Sequence, residues 1–310
     1  MEQIDIAIIG GGPAGIAAGI YGARGMRRTV LFERAVLGGQ IATTGDVENY
    51  PGFPDGINGL DLALAMHRQA EQFGAETRYE SVTAIRQEPP YIILTTDEGE
   101  VQAKTVIVTA GAEPNKLGVP GESELVGKGV SYCATCDAAF FRGVPVALVG
   151  GGDAALDEAL FTTRYASKVY VIHRRDTLRA SQILQDRALA HPKIEFIWDT
   201  VVEQVNGTDA VTNLTLRNLK TEQTSELPVA AMFVFIGQTP NSDGLGGLVP
   251  LDNGGHVLVN LWMETPVPGL FAAGDLRAEA AKQLVSAAGD GVTAAIRAEH
   301  YISDHFDHRE

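Results

Sequence analysis

The chain has 310 residues, enough for about two domains, and is 45% hydrophobic and 20% charged, with 35 glycines. That composition excludes a disordered or fibrous protein and describes a globular α/β one. A net charge of −15 argues against nucleic acid or an anionic membrane surface as a partner, and no apolar run approaches the ~18 residues of a membrane span. Met1 to Asp5 is acidic and runs straight into a strand, unlike a secretory leader. A cytoplasmic setting is therefore expected, where a disulfide is more often catalytic than structural.

Ile4 to Ile9 reads as a buried strand, followed by Gly10-Gly-Gly-Pro-Ala-Gly15 and an Ala/Gly-rich helix from Ile16 to Arg24. Gly10, Gly12 and Gly15 thus form G-x-G-x-x-G between strand and helix. There the first glycine makes the turn, the second admits a pyrophosphate, and the helix N-terminus faces its charge. A second strand, Thr29 to Phe32, ends in Glu33, placed to accept hydrogen bonds from an adenosine ribose. Gly38-Gly-Gln40 and the polar stretch from Thr43 to Pro54 make a loop too long for a simple connector. Leu60 to Phe73 has helical periodicity, Glu80 to Thr96 holds two strands turning at Pro89-Pro90, and Thr105 to Thr109 is a buried strand ending in Ala110-Gly111-Ala-Glu-Pro114-Asn115.

The only cysteines, Cys133 and Cys136, follow in Ser131-Tyr-Cys-Ala-Thr-Cys-Asp137. A CxxC pair in such a chain reads as a redox motif; a closed structural zinc asks for four ligands, and no second pair exists. Next, Val144 to Val149 feeds Gly150-Gly-Gly-Asp-Ala-Ala155, a second G-x-G-x-x-A, with a helix expected from Leu156 to Tyr165 and a strand from Val169 to Ile172 that ends in His173-Arg-Arg175. From Gly10 to Glu33 is 23 residues, as it is from Gly150 to His173. Both units also close alike, Gly111, Pro114 and Asn115 matching Gly237, Pro240 and Asn241. The expected architecture is α/β, with two Rossmann-like, three-layer dinucleotide-binding domains. The second (116–243) is inserted into the first (1–115 and 244–310). The units differ at the tip of the second strand, where Glu33 gives way to Arg174 and Arg175, with Arg179 nearby. Guanidinium groups bind a 2′-phosphate bidentately, so the second site should prefer NADPH to NADH.

After a Gly-rich stretch (Ser242 to Gly247), a strand is expected around His256 to Asn260. Leu270 to Asp275 reads as a strand ending at a Gly-Asp turn, and Lys282 to Tyr301 as a helix. An Asp at such a tip can hold a ribityl hydroxyl of FAD, and the helix would point its N-terminus at the flavin ring. His305 and His308 lie in what reads as an unconstrained tail.

The chain resembles the low-molecular-weight, bacterial-type thioredoxin reductases along essentially its whole length. The residues that carry the resemblance are Gly10-Gly-Gly-Pro-Ala-Gly15, Gly38-Gly-Gln40, Val47-Glu-Asn49, Cys133-Ala-Thr-Cys-Asp137, Gly150-Gly-Gly-Asp153, His173-Arg-Arg175 and Gly274-Asp275. It implies a homodimer that passes electrons from NADPH through FAD to the cysteines and on to thioredoxin. Cys136 would face the flavin, Cys133 would attack the thioredoxin disulfide, and Asp137 would donate and accept protons. For FAD it implies Gly10, Gly12, Pro13, Ala14, Gly15, Glu33, Gly38, Gly39, Gln40, Asn49, Val82, Gly111, Gly274, Asp275, Lys282, Gln283 and Leu284. For NADPH it implies Gly150, Gly152, Asp153, Ala154, Glu158, His173, Arg174, Arg175, Arg179 and Gly237. Phe140 and Phe141, with Lys128, resemble a thioredoxin-docking surface. Ala138, Gln238 and Lys282 depart from frequent Gly, His and Arg; Lys282 keeps the charge without the planar fork. A hinge rotation at the two Pro- or Gly-rich crossings is expected, so that nicotinamide and disulfide alternate at one flavin. Two alternatives share these residues: the same relay to another disulfide acceptor, and a non-catalytic NADPH- or redox-sensing flavoprotein.

Overall fold

The computed structural model describes residues 1–43, 46, 47 and 49–307; Glu48 of the Val47–Asn49 motif and His308 lie outside them. The chain divides into two compact units, Met1–Glu113 with Thr239–Glu310, and Pro114–Gln238.

The first unit opens with β1 (Glu2–Ile9), α1 (Pro13–Arg24) and β2 (Thr29–Phe32). The short strands β3 (Asp46–Val47) and β4 (Ile57–Asn58) pair antiparallel within the long loop. They lead to α2 (Gly59–Gln72), whose first N–H groups are capped by Asn58 Oδ1. Strands β5 (Glu76–Arg78), β6 (Val82–Glu88), β7 (Tyr91–Thr96) and β8 (Gly99–Val108) follow, then β9 (Ala112–Pro114). The second unit runs through β10 (Val130–Ser131), α3 (Ala134–Asp137), β11 (Pro145–Gly150), α4 (Asp153–Thr162), β12 (Lys168–Ile172), α5 (Gln182–Leu189) and β13 (Ile194–Ile197). It ends with β14 (Thr200–Gly207), β15 (Val211–Asn218), β16 (Thr224–Pro228) and β17 (Ala231–Phe235). β18 (Gln238–Pro240), paired with β9, returns the chain to the first unit, which adds β19 (Leu270–Ala272) and α6 (Leu284–Ile302).

The parallel strands of the first unit stand in the order β5-β2-β1-β8-β19, and those of the second in the order β13-β12-β11-β17-β10. The two units therefore repeat one another, with β1 and β11 at the centre of each sheet. Alternation along the strands supplies both faces. In β17, Phe233 packs on the helix side with Val146 and Leu156, while Met232 and Val234 face the other way. Among the described residues no α-helix covers that other face. In the second unit the antiparallel sheet β14-β15-β16 supplies Val202, Val205, Leu214 and Leu216. In the first, β7 with the segment 245–257 supplies Ile92, Leu94, Leu245 and Val257.

Two sequence expectations fail here. His256–Asn260 is not a strand: Val257 makes only isolated bridges to Leu251 and Arg277. The N–H groups of Val257, Leu258 and Asn260 bond unrelated carbonyls, Leu276, Pro250 and Glu264, so among the described residues no neighbour runs alongside to form a ladder. The described part of the tail, as far as Asp307, is also held. Residues 303–307 continue α6, and His305 Nδ1 lies 2.8 Å from the Tyr301 carbonyl with the two rings stacked. Arg27 bonds Glu299, Ser303 and Asp307 at 3.0, 2.8 and 2.6 Å. This cluster is partly solvated, which discounts its strength. Arg27→Ala should cost about 1 kcal/mol, read as a lowered urea midpoint with unchanged m-value.

Candidate active site

In the first unit the glycine loop is built for close approach. Gly10 has φ +110°, and a Cβ there would meet the Thr109 carbonyl oxygen at 2.6 Å; one on Gly15 would strike the Gly10 carbonyl. Around Gly12, by contrast, a Cβ would meet nothing within 4 Å. Gly12 is also the N-cap of α1 and offers no side-chain acceptor, so the first-turn N–H groups are open to an anion. Glu33 lies beside this loop, but both its oxygens serve the backbone: Oε2 accepts from Gly11 N–H at 2.7 Å and Oε1 from Ala35 N–H at 2.8 Å. It holds the loop in shape, and a ribose would share its remaining lone pairs.

Other first-unit residues gather near this loop. Gly38 N–H donates to the Gly11 carbonyl at 2.8 Å, and Gln40 Nε2 donates to the Ala112 carbonyl at 2.5 Å. Gly111 accepts from Asn241 N–H at 3.0 Å. Gly274 N–H donates to Asp290 Oδ2, which also takes Arg277 Nε at 2.6 Å; α6 thereby fixes the Gly274-Asp275 turn. Burial holds the Asp275 carboxyl above its usual range, against the opposing charge of Lys282. Lys282 itself has φ +55°, a strained conformation for a side-chain-bearing residue. Gln283 caps α6, exchanging bonds with Ser286, and accepts from Asn49 Nδ2 at 3.3 Å. Leu284 packs on the core behind. Val82 begins β6, and its side chain packs against the cluster of Ile92, Leu94 and Val257.

The second unit has the same cradle: Gly152 caps α4 without a side-chain acceptor, and a Cβ there would meet nothing. His173 takes the place of Glu33, its ring lying against Gly151 with Nε2 3.1 Å from the Thr177 carbonyl. Burial, aided by the neighbouring guanidinium groups, pushes its pKa down, which favours the neutral ring against the loop. Asp153 accepts from Ser181 N–H at 2.6 Å, and Arg179 N–H donates to Gly151 at 2.7 Å, which ties the segment after β12 to the glycine loop. Arg174, Arg175 and Arg179 are exposed. Asp176, the carboxylate among them, is taken by Lys220 at 2.8 Å, and the three guanidinium groups make no ion pair among the described residues. Gly237 accepts from Asn115 N–H at 3.0 Å, and the buried Oε1 of Gln238 finds no partner among the described residues.

Cys133 and Cys136 are joined as a disulfide. Cys133 is the N-cap of α3, and its Sγ accepts from Cys136 N–H at 3.2 Å. Ser131 Oγ accepts from Cys133 N–H at 3.0 Å, fixing the entry to the turn. Asp137 closes α3, its N–H on the Cys133 carbonyl at 3.1 Å; burial raises its pKa, and the Ser131 hydroxyl opposes this in part. Phe141 packs edge-on against Phe233 inside the unit, which leaves Phe140, 50% exposed, as the outward aromatic. The sequence reading missed Thr135, whose hydroxyl donates to Glu158 Oε1 at 2.7 Å. Glu158, expected at the dinucleotide, thus touches the redox loop; no spacing in the sequence announces that contact. Asp290, the support of the Gly274-Asp275 turn, was missed in the same way.

The pyridine nucleotide-disulphide oxidoreductase family model matches residues 4–291, and the chain belongs to that family. Within it the chain falls among the thioredoxin reductases. It is 44% identical to the thioredoxin reductase of Bacillus subtilis, with 97% of this chain and 95% of that one aligned. It is 45% identical to a bifunctional thioredoxin reductase/thioredoxin of Mycobacterium leprae, over 97% of this chain and 66% of that protein. The crystal structure of thioredoxin reductase from Streptococcus pyogenes superposes with a TM-score of 0.92 at 42% identity, over 97% of this chain and 99% of that one.

Proposed function

We infer that the protein is an NADPH-dependent flavoprotein thioredoxin reductase, delivering electrons from NADPH, with FAD as intermediary, to Cys133–Cys136 and then to a thioredoxin disulfide. The observation that carries this reading is the disulfide itself. It is closed across the first turn of α3, directly after β10, beside a helix whose open N-terminus suits a dinucleotide. The Mycobacterium leprae relative, whose name joins a thioredoxin to the reductase, supports thioredoxin as the acceptor over another disulfide.

The open N-termini of α1 and α4 fit two pyrophosphates, and we assign FAD to the first unit and NADPH to the second. Gly10, Gly12, Gly15 and the turn at Gly274-Asp275 would hold FAD; Gly152 and the three arginines would hold NADPH. FAD, when bound, supplies the exchange between a hydride donor and a dithiol. The chain's own residues handle sulfur and protons. In the reduced pair the Cys133 thiolate, favoured by the Cys136 N–H at its sulfur, attacks one sulfur of the thioredoxin disulfide and expels the other as a thiolate. Asp137 gives that sulfur a proton. Cys136, its proton passed to Asp137, then attacks Cys133, which re-forms the internal disulfide and releases the second thioredoxin sulfur. Phe140 and the exposed Lys128 border the pair in sequence and are assigned to docking. Among the described residues no helix is long and apolar enough to cross a membrane; cytoplasmic residence and a homodimer complete the proposal.

Thiol counting tests the electron path. The holoenzyme given NADPH anaerobically should expose two thiols per chain; none appearing would refute it. Asp137→Asn should cut thioredoxin reduction about a hundredfold. Its stability effect has a definite sign. A raised carboxyl pKa stabilises the fold at low pH, and that stabilisation is lost as pH rises through the folded-state value. The Asn variant should therefore gain thermal stability over the parent at pH 8, and the gain should vanish in acid.

A further inference from the structure

Glu158, on the second turn of α4, has no part in the sulfur chemistry described above. Its Oε1 accepts from the Thr135 hydroxyl at 2.7 Å, and the Thr135 backbone N–H is directed at the same carboxylate. Its Oε2 is buried and without a partner among the described residues. Thr135 stands between the two cysteines in the first turn of α3, the turn whose N-cap is Cys133. The carboxylate and the Cys133 sulfur, which takes Cys136 N–H at 3.2 Å, thus draw on the same few N-terminal donors.

We propose that Glu158 is a positioning residue of the redox pair: through Thr135 it fixes the CATC turn, and its negative charge opposes formation of the Cys133 thiolate in the reduced enzyme. The proposal rests on the reading of this pair as the redox centre. Reduction breaks the S–S bond with two electrons, and the sulfurs then bind two protons or keep a thiolate. An ionised Glu158 disfavours the thiolate by like charge; a protonated Glu158 permits it. Burial, reinforced by Asp157, raises the Glu158 pKa, which favours its protonated form. The remaining charged groups on the elements packed against α4 are few. α3 carries Asp137, and α5 carries Arg187 and Asp186, the latter bonded to Gln182 at 2.7 Å. β12 carries Lys168, paired with Glu195 at 2.9 Å; β11 and β17 carry none.

Peptide-resolved alkylation of Cys133 by iodoacetamide, followed against pH in the chemically reduced holoenzyme, tests this directly. Glu158→Gln should move the midpoint of the profile down by about one pH unit, while Thr135→Ser, which keeps the hydroxyl, should superimpose on the parent. A Glu158→Gln midpoint that is unchanged or raised overturns the proposal. Should that variant fail to yield holoenzyme, Thr135→Val serves: it strips the carboxylate of its donor, favours the protonated form, and should also move the midpoint down. An unchanged midpoint would be equally fatal. Alkylation needs no thioredoxin, so failure of the proposed function would show as lost thioredoxin turnover in the parent protein while this profile stood.

Discussion

Cys133→Ser and Cys136→Ser should each abolish thioredoxin-dependent oxidation of NADPH, a loss of at least about a thousandfold, while the purified variants keep their flavin. The two halves of this expectation have separate causes. The sulfurs are the only groups among the described residues that can form and resolve a mixed disulfide, and a serine hydroxyl at neutral pH is no substitute for a thiolate. The residues assigned to FAD lie in the other compact unit, so its loading should not depend on the sulfurs. Stopped assays with thioredoxin as acceptor, together with the visible spectrum of each variant, check both. A variant that reduced thioredoxin at the parental rate would remove that cysteine from the mechanism.

Replacing Arg174 and Arg175 together by Ala should lower the preference for NADPH over NADH about a hundredfold. Each charge-assisted hydrogen bond to a phosphate contributes about 1.5–3 kcal/mol, and 1.4 kcal/mol corresponds to tenfold. The change should appear as a higher KM for NADPH with kcat nearly kept, because the 2′-phosphate is remote from the reacting ring, and KM for NADH should hardly move. The stability cost should be small: both side chains are exposed and neither forms an ion pair among the described residues. Equal losses with the two nucleotides would mean that the arginines do not read the phosphate.

The repeat was legible because local chemistry enforces it. A strand, a glycine turn and a helix need the same residues at the same spacing wherever a pyrophosphate is to be held, and the 23-residue step from Gly10 to Glu33 recurs from Gly150 to His173. The starts of α1 and α4 are less legible. Both α1 and α4 begin at the glycine loop itself, at Pro13 and Asp153, where the polar or small residues hide the apolar period. What the sequence concealed was mostly long-range. β10 has two residues, too few for any pattern, yet it occupies in the second sheet the edge that β19 occupies in the first. The redox turn after β10 is thus the counterpart of the Gly274-Asp275 turn after β19. The helix that follows each strand packs on the glycine-loop helix, with Gly291 of α6 against the Ala14 carbonyl and Thr135 of α3 against Glu158 of α4. No single-strand periodicity foretells such pairings. Glu33 shows the opposite case: its position was legible, but its use by the loop backbone was not.

The measurement closest to the central claim is steady-state reduction of thioredoxin by the flavin-loaded protein, run with NADPH and with NADH. The relay described here predicts saturable turnover with NADPH, a kcat/KM about a hundredfold lower with NADH, and loss of both in either cysteine variant. A flavin-loaded protein that oxidises NADPH yet leaves the thioredoxin disulfide intact, or that does not distinguish the two nucleotides, would contradict it.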